Sequence, residues 1–173
     1  MLEFTGEQRL ERPPEELWPY FTDPDVLAEC APGCRSMELV EPHELAVTLA
    51  VGVGSVKPEF EVDVLVTEAT FPSVLSMRAI GHAPRNEFEM TADMVLEPTD
   101  DGGTNVTWTA TADVSGTIAS LGGRALKSVT KRLVNRFFDD LEAVAADGEV
   151  EAVSRLETAP PEATLGGGDD AEA

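Results

Sequence analysis

Basic residues are scarce in this chain. Lysine and arginine together number 12 against 33 aspartates and glutamates in 173 residues, which gives a formal net charge of -21. Nucleic-acid binding needs a clustered basic face to meet the phosphates. Only Lys127, Lys131, Arg132 and Arg136 approach one, on a stretch of helical periodicity where basic side chains form an ordinary solvated face. No nucleic-acid partner is therefore expected. Dense carboxylates of one sign suit concentrated salt instead, because at about 1 M the Debye length falls to roughly 3 Å and like charges scarcely repel. The composition predicts a halophilic protein whose melting temperature rises steeply with potassium chloride.

Cysteine, histidine and tyrosine are almost missing: two, two and one. Cys30 and Cys34 are separated by three residues, and no second Cys or His pair follows at zinc-ligand spacing, so no metal site is expected. Reduced structural thiols are the expectation. No run approaches the roughly 18 apolar residues of a membrane span. Met1-Leu2-Glu3-Phe4 lacks the basic and apolar regions of a signal peptide, so a cytoplasmic location is expected.

What is present is patterning. Leu2, Phe4, Gln8 and Leu10 alternate as a first strand. Pro13-Pro14-Glu15-Glu16 reads as a helix start, with proline in the first turn and acids at the positive end of the helix dipole. That helix carries Leu17, Trp18 and Phe21. Asp23-Pro24 then breaks the chain, with Asp23 placed to cap a second short helix through Cys30. From residue 35 to 114 the period is two. Phe60, Val62, Val64 and Val66 alternate with polar neighbours, as do Leu75, Met77 and Ala79. So do Phe88, Met90, Ala92, Met94 and Leu96, then Val106, Trp108, Ala110 and Ala112. Asp100-Asp101-Gly102-Gly103 supplies a hairpin turn.

Helical spacing returns at Ile118, Leu121, Ala125, Val129, Leu133, Phe137, Leu141 and Val144, with Leu126, Val134 and Phe138 widening the stripe. Gly122-Gly123 interrupts it, at a cost of about 1 kcal/mol per glycine relative to alanine. After Asp147-Gly148 the chain is acidic and rich in proline and glycine, and residues 148–173 are expected to form a disordered tail behind a 1–147 domain. The fold class is α+β: one strand, two short helices, an antiparallel meander and a long C-terminal helix across it. That order makes the helix-grip arrangement, in which a bent sheet wraps the helix and leaves a cavity, and it resembles the START-like, polyketide-cyclase and birch-pollen-allergen superfamily.

Within that superfamily the chain resembles the CoxG family of carbon monoxide dehydrogenase. The resemblance covers residues 2 to 146. It rests on Pro13-Pro14-Glu15-Glu16-Leu17-Trp18, on Asp23-Pro24 with Leu27-Ala28-Glu29-Cys30-Ala31-Pro32-Gly33-Cys34, on Val51-Gly52-Val53-Gly54 with Lys57-Pro58-Glu59-Phe60, and on Leu121-Gly122-Gly123-Arg124 followed by Phe137-Phe138. The resemblance implies an accessory protein of molybdenum hydroxylases related to carbon monoxide dehydrogenase. It also implies peripheral membrane contact and binding of a quinone-like isoprenoid lipid such as menaquinone.

A cavity between sheet and helix would be lined by Phe60, Val62, Val64, Met77, Phe88, Met90, Met94, Trp108, Leu121, Leu126, Val129 and Leu133. Thioethers and aromatic rings line adaptable cavities as readily as they fill cores. Its mouth would lie at Pro32, Gly33 and Cys34 and at Gly122 and Gly123. No catalytic residue can be named, because the inward positions carry no acid, base or oxyanion donor. His43 falls in a turn, His82 on the outward face, and the Tyr20 hydroxyl is expected to find a backbone partner at the helix end. A carrier of a hydrophobic small molecule leads, ahead of an assembly module for the same hydroxylase with no ligand. A polyketide-cyclase-like enzyme comes third.

Overall fold

The structure, a computed structural model, describes residues 1–165. Strand β1 (Leu2–Leu10) is followed by helices α1 (Pro14–Phe21) and α2 (Pro24–Cys30), then by β2 (Cys34–Glu41), β3 (Glu44–Ala50), β4 (Glu59–Thr70), β5 (Val74–Ala83), β6 (Asn86–Pro98) and β7 (Thr104–Gly116). A 3-10 turn at Thr117–Leu121 leads into α3 (Gly123–Asp147). The strands form one antiparallel seven-stranded sheet in the order β1-β7-β6-β5-β4-β3-β2. First and last strands are thus neighbours, and α1 and α2 fill the connection from β1 to the far edge.

The period of two sorts the side chains as the sequence predicts. On β4 the buried Phe60, Val62, Val64 and Val66 alternate with Glu59, Glu61 and Asp63. His82 lies on the outer face beside Glu87, 3.5 Å away. The β6–β7 turn is held locally: the Thr99 hydroxyl donates to Asp101 and accepts from the Gly103 N–H, while Gly102 takes a φ of 89°. The Arg9 guanidinium and the Thr99 hydroxyl hold the Asp101 carboxyl down at about 2. Asp23 caps α2 as expected, accepting from the Asp25 N–H at 2.9 Å.

Two expectations need correction. The C-terminal helix does not run through Gly122-Gly123. Gly122 takes a φ of 89°, which right-handed helix does not allow, so the stripe is cut into the 3-10 turn and α3 at that residue. The second correction concerns the tail. Residues 150–159 lie as an irregular strap against the domain, and residues 166–173 of the expected tail lie outside the described residues.

The strap has identifiable anchors. Leu156 is 5% exposed and joins the main core. Asp23, 3% exposed, accepts from the Val153 N–H at 2.9 Å and from the Arg155 guanidinium, which also reaches Asp25 at 3.0 Å. The Tyr20 hydroxyl donates to the Val150 carbonyl, so its backbone partner belongs to the strap and not, as expected, to the end of its own helix. Pairing of β3 with β4 ends at Glu44 opposite Leu65, and beyond the Val66 N–H, which donates to the His43 carbonyl at 2.8 Å, the edge of β4 has no strand beside it. The strap takes up that edge: the Ala159 N–H donates to the Val66 carbonyl at 2.9 Å, and the Ala69 N–H donates to the Thr158 hydroxyl at 2.8 Å.

Candidate functional site

Between the inner face of the sheet and the middle of α3 lies a cavity of about 260 Å³. Strands β5, β6 and β7 contribute Leu75, Met77, Ala92, Met94 and Trp108. Helix α3 contributes Val134, Phe137 and Phe138, and the two short helices contribute Phe21 and Leu27. The wall is hydrocarbon, thioether and aromatic ring throughout, apart from contact with Asp93 and Thr109. Asp93 is engaged: the Ser76 hydroxyl donates to its carboxylate at 2.6 Å. Three phenylalanines cluster where α1 meets α3, with Phe21 6.3 Å from Phe137 in a tilted pair and 6.0 Å from Phe138 edge to face between ring centres. A wall of this kind holds an apolar body and offers little to orient a reaction.

Of the residues the sequence assigned to a cavity, Met77, Met94 and Trp108 meet on this wall. Phe60, Val62 and Val64 are packed into the main core, with Phe88 and Met90 half-buried against it. Phe60 meets Phe88 edge to face at 5.0 Å. Leu121 ends the 3-10 turn; Leu126, Val129 and Leu133 fall on the first half of α3, away from the wall. The loop at Pro32, Gly33 and Cys34 does not reach it either. Gly33, at a φ of 82°, abuts the end of β3 so closely that a Cβ would collide with the Ala50 carbonyl. Gly123 stands against Leu2. The sequence reading missed Phe21 and Leu27, whose only signal was the apolar spacing of the two short helices. It placed Val134, Phe137 and Phe138 on the helix stripe without assigning them to the wall.

Trp108 is set by a glycine. It pairs directly with Gly6 of β1, and its indole lies over that residue so closely that a Cβ there would be 2.7 Å from Nε1, Cε2 and Cζ2. The ring thereby spreads toward β1 under α3 instead of standing upright in the cavity. Gly81 and Phe88 repeat the arrangement between β5 and β6.

Both cysteines are free thiols, Cys30 buried and Cys34 half-buried. Burial pushes the Cys30 thiol up to about 11, with the charges of Glu29 and Asp140 adding to it. Burial also raises Cys34, against the lowering effect of a backbone hydrogen bond at Ser36. Neither is a nucleophile at neutral pH. The folded state keeps the Cys30 proton to about 11 against an ordinary 9.0. Unfolded chain therefore loses the proton first, and stability falls as pH rises from about 9 toward 11. Urea midpoints at pH 8 and 10.5 should show an alkaline loss that Cys30→Ala reduces by about 1–2 kcal/mol. Among the described residues no group of three or more His, Cys, Asp or Glu side chains could hold a metal ion, and no helix is long and apolar enough to cross a membrane.

A curved antiparallel sheet that grips a long C-terminal helix over an apolar cavity defines the helix-grip class of proteins. The chain belongs to the carbon monoxide dehydrogenase G-subunit (CoxG) family, whose model matches residues 6–146. It is similar to a conserved protein from Geobacillus kaustophilus, at 29% identity and a TM-score of 0.81, over 84% of this chain and 96% of that one. The Zhui aromatase/cyclase from a Streptomyces species shares the fold at 16% identity and a TM-score of 0.64, over 86% and 98% of the two chains. Ara h 8.0201 does so at 17% identity and a TM-score of 0.62, over 84% and 98%. A search of curated protein sequences gives no match.

Proposed function

We propose that this protein is a non-enzymatic carrier for a hydrophobic ligand, a menaquinone-like quinone or another isoprenoid lipid. In this reading it serves a molybdenum hydroxylase of the carbon monoxide dehydrogenase type, from the inner side of the membrane. The observation that carries the reading is the apolar cavity walled by Met77, Met94, Trp108, Val134 and Phe137. Family membership supports the accessory role. At about 260 Å³ the space is slightly below the roughly 300–1,000 Å³ of pockets that enclose a whole drug-sized molecule. It suits a ring or a few isoprene units, with the rest of a longer chain leaving past α3. Each buried methylene contributes about 0.8 kcal/mol, so even a partly enclosed isoprenoid is held, and Met77 and Met94 can repack around different shapes.

Organic extraction of protein purified from its own host in high salt, with native mass spectrometry, should give a quinone or isoprenoid in fixed ratio. Menaquinone-4 added to stripped protein should quench tryptophan fluorescence saturably. Ala92→Phe, which fills the wall between Met77 and Met94, should weaken that binding about tenfold or more. Protein that is always empty, and that no quinone stabilises, would overturn the reading. Capture of a hydroxylase component by such empty protein would make it an assembly module instead.

A further inference from the structure

Trp108 has a second side. Its indole also walls a separate pocket of about 240 Å³ formed with Glu3, Phe4 and Thr5 of β1 and with Lys127 and Lys131 of α3. The geometry points to an anion-recognising subsite here: Lys127, Lys131 and the Trp108 N–H take the carboxylate or phosphate head of an amphipathic molecule whose apolar part occupies the cavity across the indole. This rests on the carrier reading and adds to it a preference among hydrophobic ligands.

Three observations converge. Trp108 Nε1 is the one buried side-chain nitrogen or oxygen without a hydrogen-bond partner among the described residues. A buried indole N–H ordinarily finds an acceptor, and leaving a donor unpaired costs about 1–3 kcal/mol. An acceptor supplied by a ligand removes that cost. Next, this chain carries only three lysines, and two of them stand one helical turn apart on this pocket. Among the described residues neither has a carboxylate within ion-pair distance, although Glu3 borders the same space.

Finally, the charges of α3 run against its dipole. Arg124, Lys127, Lys131 and Arg132 occupy the N-terminal half and Arg136 the middle, while Asp139, Asp140, Glu142 and Asp147 occupy the C-terminal half. No acid lies in the first turn and no base in the last. Helix stability favours the reverse order. At Lys127 and Lys131 that basic end faces a pocket that shares the Trp108 indole with the apolar cavity.

The test compares heads on a constant tail. Farnesyl phosphate and farnesol are titrated into the stripped full-length protein, with inorganic phosphate as a separate competitor. Farnesyl phosphate should bind about tenfold more tightly than farnesol, and Lys127→Gln with Lys131→Gln should abolish that difference while leaving farnesol affinity unchanged. Glu3→Gln should widen it, an effect that a purely structural role for these side chains would not produce. Inorganic phosphate at millimolar concentration should not displace farnesyl phosphate. Displacement would make the pocket a free-phosphate site and overturn the amphiphile proposal. Equal binding of phosphate and alcohol, in wild type and lysine variants alike, would overturn the subsite and leave the carrier standing. Failure of both ligands to bind would overturn both.

Discussion

Asp23→Ala is expected to lower the unfolding free energy by about 3 kcal/mol, and Leu156→Ala by about 2–3 kcal/mol. Asp23 joins two parts of the chain. One carboxylate oxygen caps α2 through the Asp25 N–H and takes the Arg155 guanidinium; the other takes the Val153 N–H. Its removal costs a helix cap, about 1 kcal/mol, and strands two donors of the strap where water is partly excluded. Arg155→Ala should cost less, because that side chain is 38% exposed and the carboxylate keeps two backbone donors. The double variant Asp23→Ala with Arg155→Ala should fall well short of the sum, as for any two members of one network. Urea unfolding in molar salt measures all four proteins. A null effect for Leu156→Ala would mean that the strap is detached in solution.

The strap was not legible in the sequence because its anchors have no period. Arg155, Leu156 and Thr158 are neighbours on an extended chain, set among glutamates and prolines whose average composition matches disordered segments. What binds them is a free strand edge and a buried carboxylate, and both exist only after β3 has paired with β4 and α2 has formed. Asp23 itself was readable as a cap, since an Asx side chain before Pro24 is a local signal. Its two further partners, more than a hundred residues away, are not.

The strands were legible for the opposite reason. Phe88, Met90, Ala92, Met94 and Leu96 declare an inner face through a period that the backbone enforces. A period identifies the face and says nothing about what the face meets. Phe60 and Val62 share their phase with Met77 and Met94, yet the first pair is packed solid and the second borders a void. The difference comes from α1 and α2, which bring Phe21 and Leu27 to one end of the cavity. Gly6 was a quieter signal. A glycine at an inward position of a strand leaves room for a neighbour, and the neighbour is the Trp108 indole.

The melting temperature is expected to rise by about 10 °C between roughly 0.1 M and 2 M potassium chloride. The fold itself brings like charges together. Glu89 of β6 lies directly opposite Asp113 of β7, and Glu41 directly opposite Glu44 across the β2–β3 hairpin. Like charges facing each other across a ladder destabilise it. The attractive pairs, Arg9 with Asp101, Arg35 with Glu59 and Arg136 with Asp140, lie at the surface, where ion pairs contribute little. Salt weakens both kinds of interaction, and with 33 acids against 12 bases the repulsion it removes is the larger. Glu89→Lys separates this cause from a general salting-out effect on apolar surface. It should raise the melting temperature by about 2 °C in low salt, through one repulsive pair turned attractive, and by nothing measurable at about 2 M. A gain that persists unchanged in high salt would assign the effect of this substitution to packing or propensity. A flat salt profile in the parent would mean that the carboxylates are spaced widely enough for water alone to screen them.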